Sequence, residues 1–399
     1  MNVVVALHVA CLSASPEASI EQQLRTALQL LLDERAARLR SGITLAFKSV
    51  DLTLELVSGT TQRSDDPARM PAPLMKTNDT LMWGSVTKMY TAASVMSLIE
   101  RGLVGLDDAA SDHVDPVLHA ANHSSMARLF GPTASNVTVR HLLGMRSGLY
   151  DFDDDATRRF CNTHPDVDVS PIDDLWFASI GGHKTPKYAA GTQQDYSSTN
   201  YELLGLILMR HASVTAWDLL DQHSLAFGPS GSTLARRFKG TRFALHGACL
   251  DYTRVHGYEP DDRYGHNMDT AYISCTNGFT CGNVVATAAH VADFVHALYA
   301  EAAVVSRASV DAMSTIWEWY GLGTMDLPSY GRTGREYCRL GHFGVTYGFT
   351  ANAFYSPVLR YALAWGTNVE DPGQTATHGA ECAHPAAITI SAGSLPGHR

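Results

Sequence analysis

The sequence is poor in lysine and has no stretch rich in basic residues. Only six of its 399 residues are lysine, and its formal net charge is −10. A nucleic acid or an anionic membrane surface is bound through a basic face, so the composition argues against both partners. Hydrophobic residues make up 45% of the chain and charged residues 18%, which provides for a substantial core and is not typical of a disordered protein.

Patterns that hold metal ions and phosphates are missing as well. The 18 histidines show no HExxH or other metal-ligand spacing, and no glycine-rich phosphate loop is present. The acidic run at residues 151–155 is interpreted as a solvated loop rather than as a cation site. His378, Glu381, Cys382 and His384 form a loose group that we interpret as polar surface with a disulfide. The sequence therefore predicts no metal and no other cofactor.

The apolar run near the N-terminus is too short to span a bilayer. It extends from Val3 to Leu12 and is followed by small residues, as in a secretory signal peptide, although His8 interrupts it and no basic residue precedes it. We predict a signal peptide at residues 1–18. Without it, six of the seven cysteines remain, an even number that favours disulfides and a secreted or extracytoplasmic protein. A cytoplasmic protein with buried thiols is the alternative. Three N-x-S/T sequons fit the secretory route: Asn78, Asn122 and Asn136.

The most informative stretch runs from Leu81 to Asp108. Apolar side chains recur there at helical spacing and predict an amphipathic helix: Met89, Ala92, Ala93, Met96 and Ile99. Gly102 favours the left-handed conformation just past a C-cap, so the helix should end near Arg101. Ser85 and Lys88 stand one turn apart at its start.

This serine–lysine pair has a chemical meaning. A serine hydroxyl is a weak nucleophile until another group takes its proton. A lysine one turn away, desolvated by the protein, can accept that proton or supply a local positive charge. The free N–H groups at the start of the helix favour a developing anion. A lone S-x-x-K arises by chance in a chain of this length, so the interpretation depends on further stretches.

Two later stretches carry polar groups that fit the same chemistry. In GTQQDYSSTNYELLGLILMR, Tyr196 and Ser198 lie in the loop before an apolar helix. The stretch Leu340 to Asn368 contains three short β runs separated by turn residues, which predict an antiparallel meander. His342 and Gly344 lie in the first of these runs.

The remaining segments complete the fold prediction. Residues 43–47 and 52–57 are typical of a β-hairpin. With the meander, they predict an antiparallel β-sheet flanked by helices, an α/β fold of the α+β type. A mostly helical region is expected to be inserted at about 110–280. We assign the catalytic unit to residues 19–370 and a C-terminal tail to residues 371–399.

With these stretches, the sequence resembles the serine β-lactamase and penicillin-binding-protein superfamily. It is most similar to the branch that holds class C β-lactamases, family VIII esterases, D-aminopeptidases and animal LACTB-type proteins. The resemblance covers about residues 43–368 and rests on segments in a common order: WGSVTK with LIERGLVGLDD, VTVRHLLGMRSGL, YSSTNYELLG, GNVVATAAHVADF and GHFGVTYGF. It implies a β-lactamase/transpeptidase-like fold and a serine hydrolase for ester or amide substrates, peptides and β-lactams included.

The resemblance also implies roles for individual residues. Ser85 would be the acylated nucleophile, Lys88 its partner, and Tyr196 the general base that shuttles a proton to the leaving group. The backbone N–H groups of Ser85 and Val345 would form the oxyanion hole. The expected substrate-contacting residues are Ser198, His342, Gly344 and Val345.

The sequence departs from the family pattern at two positions. Ser198 stands where the family's Y-[AS]-N element has asparagine, and His342 replaces the lysine of K-T-G. A histidine is mostly neutral at pH 7, which weakens the case for binding the carboxylate of a β-lactam. Both departures argue against a dedicated antibiotic-resistance enzyme, yet they leave acyl-enzyme chemistry intact. The alternative that Ser198 suggests is an inert relative that binds a ligand or partner without turnover.

Overall fold

The computed structural model describes residues 19–63, 71–180, 183–261, 266–276, 278–327 and 340–370. The predicted signal peptide, Cys338 and the C-terminal tail with its histidine–cysteine group lie outside these ranges. None of the helices in the described ranges is long and apolar enough to cross a membrane. Within the same ranges, no group of histidine, cysteine and acidic side chains is arranged to hold a metal ion.

The strands form one main sheet and two small ones. They are β1 (Ile43–Lys48), β2 (Thr53–Ser58), β3 (Leu81–Met82), β4 (Arg242–Phe243), β5 (Tyr258–Asp261), β6 (His266–Asp269), β7 (Val284–Ala286), β8 (Met325–Asp326), β9 (Leu340–Thr346), β10 (Phe349–Ser356) and β11 (Tyr361–Thr367). The main sheet is antiparallel with the order β2-β1-β11-β10-β9-β8, and the small sheets are β3-β7-β4 and β5-β6. The predicted hairpin and meander are both present, so the expected antiparallel sheet is confirmed.

Helices surround the main sheet. They are α1 (Ile20–Leu39), α2 (Thr87–Glu100), α3 (Ala110–Asn122), α4 (Met126–Phe130), α5 (Val139–Leu143), α6 (Asp155–Thr163), α7 (Pro171–Ser179), α8 (Thr199–Ala212), α9 (Gln222–Phe227), α10 (Thr233–Arg237), α11 (Phe279–Gly282), α12 (Ala288–Tyr299) and α13 (Arg307–Met313). Strands β10 and β11 are buried along their whole length because the sheet is covered on both faces. Helix α12 packs on β1, β10 and β11, and α1 packs on β1 and β2.

The main sheet joins the two ends of the catalytic unit. Strand β1 pairs with the hairpin partner β2 on one side and with β11 on the other, so that Leu45 lies opposite both Leu56 and Trp365. The alternating burial of β2, with Leu54 and Leu56 inside, fits an edge strand that shows one face to solvent. The sheet is therefore complete only when the first and last strands have met.

The inserted region is mostly helical, as predicted, but it also contains β4, β5 and β6. These strands have only two to four residues each, too few for a period-two pattern to stand out in the sequence. A disulfide joins Cys249 to Cys275 in this region. Cys161 and Cys281 are free thiols, so the even cysteine count does not translate into complete pairing.

Helix α2 forms the centre of the core. It ends at Glu100, and Gly102 has the left-handed backbone (φ 68°) expected past the C-cap. Nearly all of its side chains are buried, including Met89, Ala92, Ala93 and Met96 of the predicted apolar stripe, and Ile99 is half-buried. Each buried methionine or valine of this helix contributes about 1.5–3 kcal/mol to folding. The helix start is thus held rigidly against the rest of the molecule.

Candidate active site

The three predicted catalytic side chains meet at one oxygen atom. Lys88 Nζ donates a hydrogen bond of 2.8 Å to Ser85 Oγ, and the Tyr196 hydroxyl donates one of 2.7 Å to the same oxygen. Ser85 and Lys88 come from the start of α2, and Tyr196 comes from the loop that precedes α8. The hydroxyl, the amine and the phenol therefore share one cleft although they are far apart in sequence.

A short turn presents Ser85 to the cleft. Residues Gly84–Val86 form a single 3₁₀ turn that leads directly into α2, and Gly84 has a positive φ of 51°. The Thr87 hydroxyl donates to the Gly84 carbonyl oxygen at 2.7 Å and accepts from the Val284 N–H at 2.9 Å. The turn is thereby tied to β7, and the serine is held in place by backbone contacts as well as by its own hydrogen bonds.

Lys88 is fully buried, and each of its three N–H groups has an acceptor. Besides Ser85 Oγ, these are Ser198 Oγ at 3.3 Å and the Cys281 carbonyl oxygen at 3.1 Å. Burial alone would lower the pKa of Lys88, but its attraction to the ionised forms of Tyr196, Cys281 and Asp151 outweighs burial and keeps the pKa above its ordinary value. The resting side chain is therefore an ammonium ion.

The phenol of Tyr196 is neutral in the resting site. Burial raises the pKa of Tyr196, and the nearby Lys88 charge and the hydrogen bonds to Lys88 and Ser85 only partly oppose that rise. Because the two groups interact closely, they titrate as a pair. The pair has to lose one proton before it can accept the proton of Ser85.

The Tyr196 loop is fixed by a glutamine that sequence reasoning missed. The side-chain amide of Gln194 donates to the carbonyl oxygens of Gly144 and Tyr320 at 2.8 and 2.9 Å. Its oxygen accepts from the backbone N–H groups of Trp319 and Tyr320 at 3.2 Å. These contacts clamp the loop between two other segments. In the sequence, the only sign of this role is that Gln194 lies two residues before Tyr196.

In the acidic run at 151–155, Asp153, Asp154 and Asp155 are exposed as expected for a solvated loop, whereas Asp151 is half-buried. Asp151 Oδ1 accepts from the Ser198 backbone N–H at 2.9 Å, and Asp154 caps the N-terminus of α6. Burial raises the pKa of Asp151 to about 7, with Asp153 adding to the rise and Lys88 opposing it. Asp151 therefore fixes the backbone beside the catalytic lysine, a role that composition alone does not reveal.

Strand β9 forms one wall of the site through direct backbone contact. A Cβ atom on Gly344 would lie 2.1 Å from the Trp83 carbonyl oxygen and 2.9 Å from the Ser85 nitrogen. Only glycine allows the strand to come this close. A Cβ on Gly84 would in turn lie 2.9 Å from the Val345 nitrogen, so the backbone nitrogens of Ser85 and Val345 border the same small space.

His342 is buried behind the wall and does not reach the cleft surface. Its Nδ1 lies 2.5 Å from the Phe343 carbonyl oxygen, which can only accept, and its Nε2 lies 3.0 Å from the Tyr320 hydroxyl. Burial, together with the Lys88 charge, lowers the pKa of His342 to about 3. The ring is neutral, with its proton on Nδ1. It supplies no positive charge for a substrate carboxylate, in agreement with the expectation from the sequence.

The cleft beside Ser85 has an ionic lining. Ser198 and Val345 are part of it, together with Asp153, Arg158 and Glu259. Arg158 forms an ion pair of 3.0 Å with Glu370, and Glu259 is only 7% exposed. Burial raises the pKa of Glu259 to about 7, and Glu370 adds to the rise. The cleft therefore holds more acidic than basic groups.

The fold and the matching sequence model define a serine hydrolase of the β-lactamase family. The sequence model described as Beta-lactamase matches residues 69–386, and the chain belongs to this family.

Solved structures share the fold. A D-amino acid amidase from Ochrobactrum anthropi SV3, complexed with D-phenylalanine, is 20% identical and has a TM-score of 0.67 over 92% of this chain and 99% of its own. A D-stereospecific amidohydrolase from Streptomyces sp. is 18% identical, with a TM-score of 0.64 over 88% of this chain and 97% of its own. The octameric penicillin-binding protein homologue from Pyrococcus abyssi is 19% identical, with a TM-score of 0.64 over 88% and 76%.

Proposed function

We propose that the protein hydrolyses ester or amide bonds through an acyl-enzyme on Ser85. The observation that carries this proposal is the hydrogen bonding of Ser85 Oγ to both Lys88 Nζ and the Tyr196 hydroxyl, at 2.8 and 2.7 Å. Such an arrangement activates a nucleophile because a neighbouring pair can take up its proton. Ser198 retains a hydrogen bond to Lys88, which speaks against the inert relative that its replacement of asparagine suggested.

The reaction proceeds in two halves. Once the Lys88–Tyr196 pair has lost a proton, it takes the proton of Ser85 as Oγ bonds to the substrate carbonyl carbon, whose oxygen becomes an anion. The N–H groups of Ser85 and Val345 are positioned to stabilise that oxyanion. Collapse of this tetrahedral intermediate breaks the bond to the leaving amine or alkoxide, which receives the proton from the pair. Water then attacks the acyl carbon and gives a proton to the same pair. The bond between the acyl carbon and Ser85 Oγ breaks, the pair returns the proton to Oγ, and the acid leaves.

A fluorophosphonate probe tests this proposal. The probe should form one covalent adduct on the wild-type protein, because the activated oxygen of Ser85 displaces fluoride from phosphorus. Mass spectrometry of the digested protein should assign the adduct to the peptide that contains Ser85. An unmodified protein, or an adduct on another serine, would contradict the proposed nucleophile. Heat-denatured protein is the control for nonspecific labelling.

The acidic lining of the cleft supports a substrate that brings a positive charge. We propose amides of amino acids with a free amino group, a class to which the name of one structural neighbour, the D-amino acid amidase, also points. Glu259 and Asp153 line the cleft with a single basic residue among the described ones, Arg158. The charge of Arg158 is shared between Glu259 and its ion-pair partner Glu370. Glu259 is therefore placed to attract such an ammonium. The binding of an uncharged ester would not be strengthened by this contact.

Glu259→Gln is therefore expected to raise the KM for an amino-acid amide about tenfold and to leave the KM for p-nitrophenyl acetate unchanged. For the wild type, the KM for the amide should fall as the pH rises through about 7, because Glu259 becomes ionised there. Steady-state kinetics with both substrates between pH 6 and 8 measures this. Equal effects of the substitution on both substrates would contradict the specificity role.

We also propose that the protein works in an oxidising, extracytoplasmic compartment. The disulfide between Cys249 and Cys275 supports this location. The asparagines of the three sequons are exposed and so accessible to glycosylation: Asn78, Asn122 and Asn136.

A further inference from the structure

The buried charge of Lys88 has no carboxylate at ion-pair distance among the described residues. Its three hydrogen bonds go to neutral oxygens, two from hydroxyl groups and one from the Cys281 carbonyl. A buried cation in contact only with neutral groups is unfavourable unless negative charge lies close behind them. The surroundings of Cys281 are therefore of interest.

Glu202 lies directly behind Cys281. It belongs to α8, one turn after Ser198, and is 0% exposed. Neither of its carboxyl oxygens has a hydrogen-bond partner of normal geometry within the described part of the chain. The Cys281 thiol, a weak donor, and the Cys281 backbone N–H face it from α11. A buried acid and a buried cation with no carboxylate at ion-pair distance thus flank the same residue.

We propose that Glu202 is a positioning residue that supplies the negative counter-charge for Lys88 across Cys281. It touches neither Ser85 nor the space where substrate would bind. It acts by stabilising the ammonium form of Lys88 and so sets the pH at which the Lys88–Tyr196 pair gives up its proton. This inference rests on the proposed acyl-enzyme function.

Several charged and titratable groups act on Glu202. Asp174 faces it from α7, Cys281 from α11 and Lys88 from α2, and Asp151 acts from the loop before α6. Burial raises the pKa of Glu202 to about 8, whereas the thiol contact and the Lys88 charge lower it. Above that pH, the negative charge of Glu202 raises the pKa of the Lys88–Tyr196 pair. Removing the anion should let the pair lose its proton at lower pH.

The test is the pH dependence of the rate at which a fluorophosphonate modifies Ser85. Glu202→Gln should move the rising limb of the profile to lower pH by about one unit, because it removes a negative charge that only Cys281 separates from Lys88. Glu202→Asp keeps the charge and should keep the wild-type profile, although its smaller side chain lowers the melting temperature. Circular dichroism establishes that each variant is folded.

Asp174→Asn provides an independent variant if the glutamine variant does not fold. Removing this neighbouring acid favours the Glu202 anion, so the rising limb should move to higher pH. Unchanged profiles for Glu202→Gln or Asp174→Asn would overturn the inference, as would a shift in Glu202→Asp equal to that in the glutamine variant. A wild-type protein that is not modified at Ser85 at any pH would instead overturn the proposed function.

Discussion

Replacing Ser85 with alanine is expected to abolish fluorophosphonate labelling and to lower the turnover of the best ester or amide by about 10⁴-fold or more. The substitution removes the only atom that contacts both the Lys88 amine and the Tyr196 phenol in the described structure. It leaves the fold intact, since the 3₁₀ turn is held by backbone atoms and Thr87. Gel fluorescence and steady-state kinetics measure the two effects.

Ser198→Ala is the matched control for that experiment. Ser198 also lines the cleft and accepts a hydrogen bond of 3.3 Å from Lys88, but the Tyr196 hydroxyl donates to Ser85 instead. We expect the control to label at a rate within about tenfold of the wild type, the effect of losing one hydrogen bond. If Ser198→Ala lost the label and Ser85→Ala kept it, the assignment of the nucleophile would be reversed.

Lys88→Met should lower the rate of acylation about 10³- to 10⁴-fold. Methionine fills a similar volume but cannot exchange a proton or stabilise a phenolate, and general acid–base catalysis of this kind contributes about 10²- to 10⁴-fold on its own. The ammonium also supports the oxyanion through its charge. Single-turnover labelling with the fluorophosphonate measures the rate without interference from product release.

The same substitution should not destabilise the protein. At pH 7 the Glu202 carboxyl is mostly protonated, so Lys88→Met removes a costly buried cation without leaving a buried anion behind, and the hydroxyl groups that lose a partner can reorient. Thermal melts should therefore show an unchanged or higher Tm. Lys48→Met, on strand β1, is the control and should affect neither rate nor Tm. An inactive Lys88→Met variant that also unfolds would show that the lysine holds the fold together.

Much of the architecture could be predicted because local patterns and global packing agree. The helix over Thr87–Glu100 has one continuous apolar stripe and a glycine just past its end, and the meander has turn residues between its strands. Ser85 and Lys88 could be named from their spacing at the start of a helix, and Tyr196 because its stretch resembles the Y-[AS]-N element of the family. Their convergence agrees with the prediction.

The residues that support the site could not be predicted, because their roles depend on distant partners. Gln194 acts on segments around residues 144 and 320, and no periodicity connects such positions. In the sequence, Glu202 is a polar residue within an apolar helix. Only the packing of α7, α8 and α11 shows that it is enclosed. His342 could be assigned as neutral but not as buried, because its burial results from the Tyr320 contact.

The pairing of β1 with β11 has a consequence for how the protein is made. The nucleophile leaves the ribosome early, but Gly344 and Val345, which border it, belong to the meander that closes the sheet near residue 367. A nascent chain that already carries Ser85, Lys88 and Tyr196 still lacks the backbone N–H of Val345 that the proposed oxyanion hole requires. The proposed activity therefore arises only after β11 has been made and paired with β1, and a chain that stops short of that strand is released without it.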